Sequence, residues 1–354
     1  MPPLGPILKS RPVLAILAGS AVAFAVLVVT DGSAPAQVSG AKPQAGPRHG
    51  PDRAPSWHGE IAFAVPTSTS GTDAELVEVA AEERTEPSVV YRAPPGQTIR
   101  DLAWSPDGAR LAVVVGTPIG AGHVLTMSAT GDDIREVTRG RKVSTASVAW
   151  SPNGRRLVYD LGQAGHPERG QPLIVSRADG ARAHRITPPH GLAVAPAWSP
   201  DGRLIAYVKP YAPGESAGRT GSIRVIPAAG GASRGVSAVY DGHEPSWAAD
   251  SRTVSYAANW EGGQGLVSVA LHHDATPYLA FDCTAVLRCD TIGSLSAAPG
   301  EGALGFLVTV DHPARALVSV TRFGSTTGSV PLLRLPLYTC CMTWAPPAPG
   351  QTAV

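Results

Sequence analysis

The sequence has little charge, few aromatic side chains and no excess of charge of one sign. Charged residues make up 16% of the 354 positions and aromatic residues 6%. With 39 glycines and 34 prolines, this composition argues against a coiled coil or long helices and favours many short strands joined by turns. The 29 basic residues nearly balance the 28 acidic ones. The chain therefore lacks the basic surplus that a nucleic-acid partner would require.

Catalytic signatures are also scarce. The sequence has no His-Glu-x-x-His helix and no Walker-type glycine loop, and we assign neither a nucleophile elbow nor a dinucleotide-binding fingerprint to it. We therefore predict no catalytic residues, no metal site and no cofactor.

One long apolar run stands near the amino terminus. Lys9 and Arg11 precede the run, which extends from Val13 to Val29. Its 17 residues exceed the usual signal-peptide core of about 7 to 15 and fall slightly short of the roughly 20 that span a bilayer. A retained membrane anchor and a signal peptide cleaved near Ala36 both remain open. Either way, the basic residues before the run predict that the rest of the chain is exported.

A unit of about 48 residues repeats along most of the remaining chain. Three copies contain Trp-Ser-Pro-Asp-Gly or its Asn variant before an apolar strand, and a fourth keeps the tryptophan and the acid. The period predicts a fifth unit at Ala297 and a sixth at Trp344. Four short strands per unit of this length are typical of a β-propeller blade. We predict that the repeat tryptophans are structural and pack between blades: Trp104, Trp150, Trp198, Trp247 and Trp344.

These repeats resemble the WD40-like repeat of TolB-type propellers, from Ile61 to Trp344. The resemblance implies an all-β, six-bladed β-propeller that acts as a non-enzymatic adaptor in the bacterial envelope, although we expect the amino-terminal α/β domain of that family to be absent. Its partner would be an envelope protein, a peptide or a glycan, and the membrane if the anchor is retained. We expect a monomer.

Strands from both ends of the chain are predicted to form the last blade. The inner strand would end at Trp344, and the other three would come from Glu60–Val65, Glu75–Val79 and Val89–Tyr91. Such a mixed blade closes the ring and removes exposed sheet edges.

We divide the chain into a signal peptide or anchor (1–33), a disordered linker with five prolines (34–56) and the propeller (57–354).

Four cysteines in an exported chain suggest disulfides, with three possible pairings. We predict a bond between Cys283 and Cys289. Cys340 and Cys341 stay open as a free, a vicinally oxidised, or a redox or metal-binding pair.

Polar residues just before the inner strands are expected to surround the mouth of the central channel, where a ligand or a partner's peptide would bind. They are Arg100, Asp101, Thr145, His243, Glu244, Ser294 and Thr339. The alternative is a channel-mouth hydrolase or lyase with His243 and Glu244 as acid and base. The acidic turn residues of the repeat are interpreted as turn formers, not as a carboxylate cluster.

Overall fold

The computed structural model describes the chain in separate ranges. They are residues 44–45, 60–66, 74–80, 88–117, 120–139, 143–166, 169–210, 221–236, 241–260, 263–272, 275–283, 291–298, 303–311, 314–322, 330–335 and 341–345. The predicted membrane-inserted run at 13–29 lies outside these ranges, as does nearly all of the predicted linker. Within the described ranges, no helix is long and apolar enough to span a bilayer.

The elements of the described residues are strands, and the fold is all-β as predicted. In chain order they are β1 (Gln44–Ala45), β2 (Glu60–Pro66), β3 (Ala74–Ala80), β4 (Ser88–Arg92), β5 (Thr98–Trp104), β6 (Arg110–Gly116), β7 (Gly122–Ser128), β8 (Arg135–Glu136), β9 (Val143–Ser144), β10 (Val148–Trp150), β11 (Arg156–Asp160), β12 (Gly162–Gln163), β13 (Leu173–Arg177), β14 (His184–Arg185), β15 (Val194–Trp198), β16 (Leu204–Pro210), β17 (Gly221–Pro227), β18 (Arg234–Gly235), β19 (Asp241–Trp247), β20 (Thr253–Trp260), β21 (Gly263–Ala270), β22 (Tyr278–Asp282), β23 (Thr291–Ala298), β24 (Ala303–Asp311), β25 (Ala314–Arg322), β26 (Val330–Leu335) and β27 (Cys341–Trp344).

Most of these strands form six four-stranded antiparallel units. The first to fifth units are β5-β6-β7-β8, β10-β11-β13-β14, β15-β16-β17-β18, β19-β20-β21-β22 and β23-β24-β25-β26. The sixth, here called the mixed unit, is β27-β2-β3-β4. In it the carboxyl-terminal strand β27 pairs with β2, and Ile61 lies opposite Trp344.

Two further pairings link or extend the units. Gly221 of β17 lies opposite Gly242 of β19, so the third and fourth units share one sheet. At the edge of that sheet formed by the fourth unit, β1 pairs in parallel with β22, and Gln44 lies opposite Tyr278. The linker prediction therefore does not hold for these two residues. The outer strand β22 has backbone groups that can accept another strand at its free edge, and β1 occupies it.

The first strands of the units contact one another in a cycle. β5 contacts β10, β10 contacts β15, β15 contacts β19, β19 contacts β23, β23 contacts β27, and β27 contacts β5. The sequence of contacts thus returns to the strand from which it began.

The repeat tryptophans lie between neighbouring units. Trp150 packs with Ala112 and Val114 of the first unit and with Leu157 of the second. Its Nε1 donates a hydrogen bond to the carbonyl of Ala103, 3.1 Å away in the first unit. Burial of an indole removes about 150 to 250 Å² from water, a gross stabilisation of roughly 4 to 6 kcal/mol before entropy is subtracted.

The last tryptophan is accommodated by a glycine in the fifth unit. A Cβ on Gly305 of β24 would come within 3.0 Å of an indole carbon of Trp344. Because the backbone of β24 approaches the indole this closely, a side chain at position 305 would require Trp344 or β24 to shift by a few tenths of an ångström.

The turns after Trp104, Trp150 and Trp198 are held by their own side chains. The Ser105 hydroxyl donates to Asp107 Oδ1 at 2.6 Å, and the backbone N–H of Ala109 donates to the same oxygen at 3.1 Å. The backbone N–H of Arg110 donates to Ser105 Oγ at 2.9 Å. The next two turns repeat these bonds, with Ser151 and Ser199 as the serines and Asn153 and Asp201 as the acceptors.

Candidate functional site

The predicted site residues lie at one end of the first strands, here called the mouth edge. The mouth edge comprises the residues three to five positions before each repeat tryptophan or its alanine counterpart: 99–101, 145–147, 193–195, 242–244 and 292–294. Thr339, the counterpart in the mixed unit, lies outside the described residues. The other six predicted residues are all placed on this edge.

Arg100, Asp101 and Thr145 come together where the first unit meets the second. Arg100 Nη1 donates to the Thr145 carbonyl at 3.1 Å. The guanidinium also donates to carbonyls of the loop between β6 and β7, including that of Ala121 at 3.3 Å. The Asp101 carboxylate accepts the backbone N–H of Val148 in the next unit at 2.9 Å. Arg100 and Asp101 of the first unit therefore bind two backbone groups of the second unit, the Thr145 carbonyl and the Val148 N–H.

His243, Glu244 and Ser294 form a second group where the fourth unit meets the fifth. His243 Nε2 lies 2.9 Å from the Ile292 carbonyl, and because a carbonyl only accepts, the ring donates from Nε2. The Glu244 carboxylate accepts the backbone N–H of Ser294. These contacts repeat those of Arg100 and Asp101: the residue four before the tryptophan donates to the next unit, and the following carboxylate accepts from it.

Between the second and third units the same register is occupied by a serine that sequence reasoning missed. Ser147 Oγ accepts the backbone N–H of Ala195 at 2.9 Å and donates to the buried carboxylate of Asp160. Asp160 also accepts the backbone N–H groups of Ala146, at 3.0 Å, and Ser147, at 2.7 Å. Alignment on the tryptophans would have placed Ser147 in register with Asp101 and Glu244.

The backbone of the mouth edge is left-handed at one register. Ala195, Glu244 and Ser294 each stand three residues before the repeat position and have φ values of 49°, 50° and 51°. Each lies within a break in the pairing register of the first two strands of its unit. Such bulges redirect side chains at sheet ends, and non-glycine residues with positive φ concentrate at functional sites.

The buried polar atoms at the mouth edge that have no hydrogen-bond partner in the described part of the chain include the hydroxyl of Thr145 and Nδ1 of His243. The structure thus brings the predicted residues together in two groups, each between a different pair of units, and uses most of their polar atoms in contacts between units.

Comparison with protein families identifies this architecture. The model described as TolB beta propeller domain matches residues 94–280, just over half of the chain. The chain belongs to this family. Membership in the TolB propeller family supports a non-catalytic binding role in general terms. No curated protein matches the sequence.

Solved TolB structures have the same fold at low sequence identity. TolB from Acinetobacter baumannii superposes with a TM-score of 0.59 at 15% identity, covering 81% of this chain and 67% of that one. A putative TolB from Agrobacterium tumefaciens gives 0.55 at 14% identity, with 79% and 90% covered. A chain of a nidogen/laminin complex gives 0.58 at 11% identity, with 81% and 98% covered. At these identities, the similarities are of fold alone.

The acidic residues of the tryptophan turns are turn formers in this TolB-family chain. The pKa values of Asp107 and Asp201 are lowered, chiefly by hydrogen bonds from the preceding serine hydroxyls and also by backbone N–H groups. Asp250, in the fourth unit, accepts two backbone N–H groups and the Thr253 hydroxyl. Across the described ranges, no group of three or more His, Cys, Asp or Glu residues is arranged to hold a metal ion.

Three segments match enzyme motifs that the sequence analysis did not assign, and one of them, Gly214–Gly218 with the Gly-x-Ser-x-Gly spacing, lies outside the described residues. Gly231–Gly235 has the Gly-x-Ser-x-Gly spacing but lies at the turn between β17 and β18, whereas a nucleophile elbow joins a strand to a helix. Its Ser233 Oγ accepts a hydrogen bond from Arg224 Nε at 3.0 Å. Gly300–Gly305 has the dinucleotide-fingerprint spacing, but its described part, from Ala303, begins strand β24 where the fingerprint requires a helix.

Two of the four cysteines lie in the described residues, and both are disulfide-bonded. Cys283 follows β22 and Cys341 begins β27, and both side chains are buried. Cys289 and Cys340 lie outside the described residues, so the bond between Cys283 and Cys289 stays a prediction.

Proposed function

We propose that this TolB-family chain is an extracytoplasmic, non-enzymatic adaptor built on a closed six-bladed propeller. The cycle of contacts among the first strands and the pairing of β27 with β2 support ring closure. The family's envelope proteins and the apolar run at Val13–Val29 support an extracytoplasmic location. The adaptor binds an envelope protein, peptide or glycan through its mouth edge and is either anchored by that run or released after cleavage.

The observation that carries this proposal is the repeated, side-chain-braced backbone of the mouth edge. Left-handed residues at one register in three successive units hold this edge in one conformation, together with side-chain bonds from the first unit to the second, the second to the third and the fourth to the fifth. A preorganised surface loses less conformational entropy on binding, so more of its contact energy contributes to affinity.

The bonding of the His243–Glu244 pair favours an adaptor over the hydrolase or lyase alternative. An acid and a base need atoms within hydrogen-bond reach of the substrate. Here His243 Nε2 donates to the Ile292 carbonyl, and the Glu244 carboxylate accepts from the backbone of Ser294. These atoms stabilise the contact between the fourth and fifth units.

Capture from the native envelope tests the proposal. The full-length chain, solubilised in detergent and immobilised, serves as bait beside a His243→Ala, Glu244→Ala double variant. Alanine suits the left-handed position of Glu244, because Ala195 occupies that register in the third unit. The matched control is Ser296→Ala, which removes another bond between units: Ser296 Oγ accepts the Trp344 N–H at 2.9 Å.

An adaptor that uses the mouth edge is expected to recover the same envelope component with the unaltered chain and with Ser296→Ala, and to lose it with the double variant. Equal recovery with all three baits would remove the mouth edge as the binding surface. Turnover of esters, glycans or peptides by the purified chain, lost in the double variant, would establish the enzyme instead.

A further inference from the structure

An arginine-lined pocket lies at the end of the strands opposite to the mouth edge, where the first unit meets the second. It has a volume of about 570 Å³, within the roughly 300 to 1,000 Å³ of small-ligand sites. Its charged lining is Arg110, Arg135, Arg155, Arg156, Arg177 and Asp179. These residues lie at strand ends beside the tryptophan turns and the following hairpin turns.

The carboxylates around the pocket neutralise part of this charge. Asp133 contacts two lining arginines, with Arg110 Nη1 at 2.9 Å and Arg135 Nη2 at 3.0 Å. Asp179 lies 3.5 Å from Arg177 Nε. Five arginines against these two aspartates leave three positive charges without an opposite charge in the pocket.

The second unit supplies the uncompensated arginines. Within the described residues, neither the Arg155 nor the Arg156 guanidinium has an ion-pair or hydrogen-bond partner. Arg156 on β11 lies directly opposite Arg177 on β13, an arrangement in which like charges destabilise a sheet. The third unit has Leu204 opposite Pro227 at the corresponding place, so the charge pair is a feature of this pocket and not of the repeat.

We propose that this pocket binds an acidic peptide segment of a partner protein through at least two carboxylates. The planar guanidinium pairs with carboxylates through two parallel hydrogen bonds. Asp133 already shows this with Arg135, whose Nε donates to Oδ1 and whose Nη2 lies 3.0 Å from Oδ2, and it accepts one further bond from Arg110 Nη1. The whole chain has a formal charge of only +1, so it lacks the extended positive field that recruits long polyanions. A compact local excess of positive charge fits a short acidic segment.

Fluorescence anisotropy with a labelled oligoglutamate peptide tests the proposal on the full-length chain. The peptide is expected to bind, and an oligoglutamine analogue is not. An Arg155→Gln, Arg156→Gln double variant should weaken binding by roughly tenfold or more, because it removes charge-assisted hydrogen bonds. The matched control is Arg203→Gln, which changes an exposed arginine at the same repeat position as Arg155, 4.0 Å from Asp201 in the third unit.

Equal affinity of the double variant and the unaltered chain would overturn the proposal, and so would absence of oligoglutamate binding to the unaltered chain. Stronger binding of inorganic polyphosphate than of oligoglutamate, with the same dependence on the two arginines, would overturn the acidic-peptide assignment in favour of a phosphate polymer. The inference rests on the proposed role as a binding module but not on the mouth edge. The His243→Ala, Glu244→Ala variant should retain oligoglutamate binding, so failure of either proposal is distinguishable from failure of the other.

Discussion

Replacement of Asp160 should destabilise the chain more than replacement of an exposed aspartate. The Asp160 carboxylate is fully buried and accepts hydrogen bonds from two backbone N–H groups, the Ser147 hydroxyl and the side-chain amide of Gln171. The same Ser147 oxygen accepts the backbone N–H of Ala195 in the third unit. Asp160 therefore orients a serine that joins two units.

The expected loss follows from the donors that Asp160→Ala leaves without an acceptor. A buried donor without a partner costs about 1 to 3 kcal/mol. The Ser147 N–H is buried, whereas Ala146 and Gln171 are half-buried and can regain water. Two buried donors, the Ser147 N–H and the Ser147 hydroxyl, lose their acceptor, so we expect the free energy of unfolding to fall by about 2 to 6 kcal/mol. Asp160→Asn keeps the shape and one accepting oxygen, although its amide NH2 then faces the remaining donors, so its loss should be smaller than that of Asp160→Ala.

Urea unfolding followed by far-ultraviolet circular dichroism measures these losses by linear extrapolation. The control is Asp179→Ala, which removes a partly exposed carboxylate 3.5 Å from Arg177 and should change the free energy of unfolding by about 1 kcal/mol or less. If Asp160→Ala were as stable as this control, the argument from buried donors would be refuted.

Three further measurements test other parts of the structure. Trp150→Phe should lower the free energy of unfolding by about 1 kcal/mol more than Trp104→Phe. The Trp150 indole donates to the neighbouring unit, whereas the buried Trp104 Nε1 has no partner in the described residues. Equal losses in urea unfolding would contradict this expectation. Asp107→Asn should flatten the loss of stability in acid. The hydrogen bond from the Ser105 hydroxyl is the largest cause of the lowered Asp107 pKa. The stability that the ionised carboxylate contributes is therefore present above its unfolded pKa of about 3.9 and lost as the pH falls through its folded pKa. If the free energy of unfolding of Asp107→Asn fell with acid as steeply as that of the unaltered chain, the argument would be wrong. A non-reducing tryptic digest should yield Cys283 and Cys289 peptides joined by a disulfide, and a different partner for Cys283 would reject that pairing.

The strands were predictable because their signals are local and repeat in register. Trp-Ser-Pro-Asp-Gly determines where one strand ends and the next begins through bonds within a few residues, as around Asp107. The apolar stretch Leu173–Ser176 is thus found within strand Leu173–Arg177. Where no turn signal exists, as for the short parallel strand at Gln44–Ala45, the sequence predicted a disordered linker.

The position of the candidate residues along the first strands was predictable, but their hydrogen-bond partners were not. Distance from the tryptophan placed Asp101 and His243 on the mouth edge, yet their partners, Val148 and Ile292, lie 47 and 49 residues further along the chain. Such partners depend on how units stack, which a local pattern does not specify. The arginine pocket was missed because its lining comes from two stacked units. In the sequence alone, an arginine after a turn is interpreted as an ordinary solvated residue.

Because β2 pairs with β27, the mixed unit cannot form until the carboxyl-terminal strand has been synthesised. Ile61 lies opposite Trp344, so one edge of β2 has no partner until almost the entire chain has been made. At ribosomal rates of about 5 to 20 residues per second, the intervening stretch of about 280 residues takes roughly 14 to 56 s. During that interval an apolar strand edge is available to other chains. The unpaired edge of β2 is therefore open to wrong pairing for longer in this chain than in a protein whose sheets pair neighbouring strands.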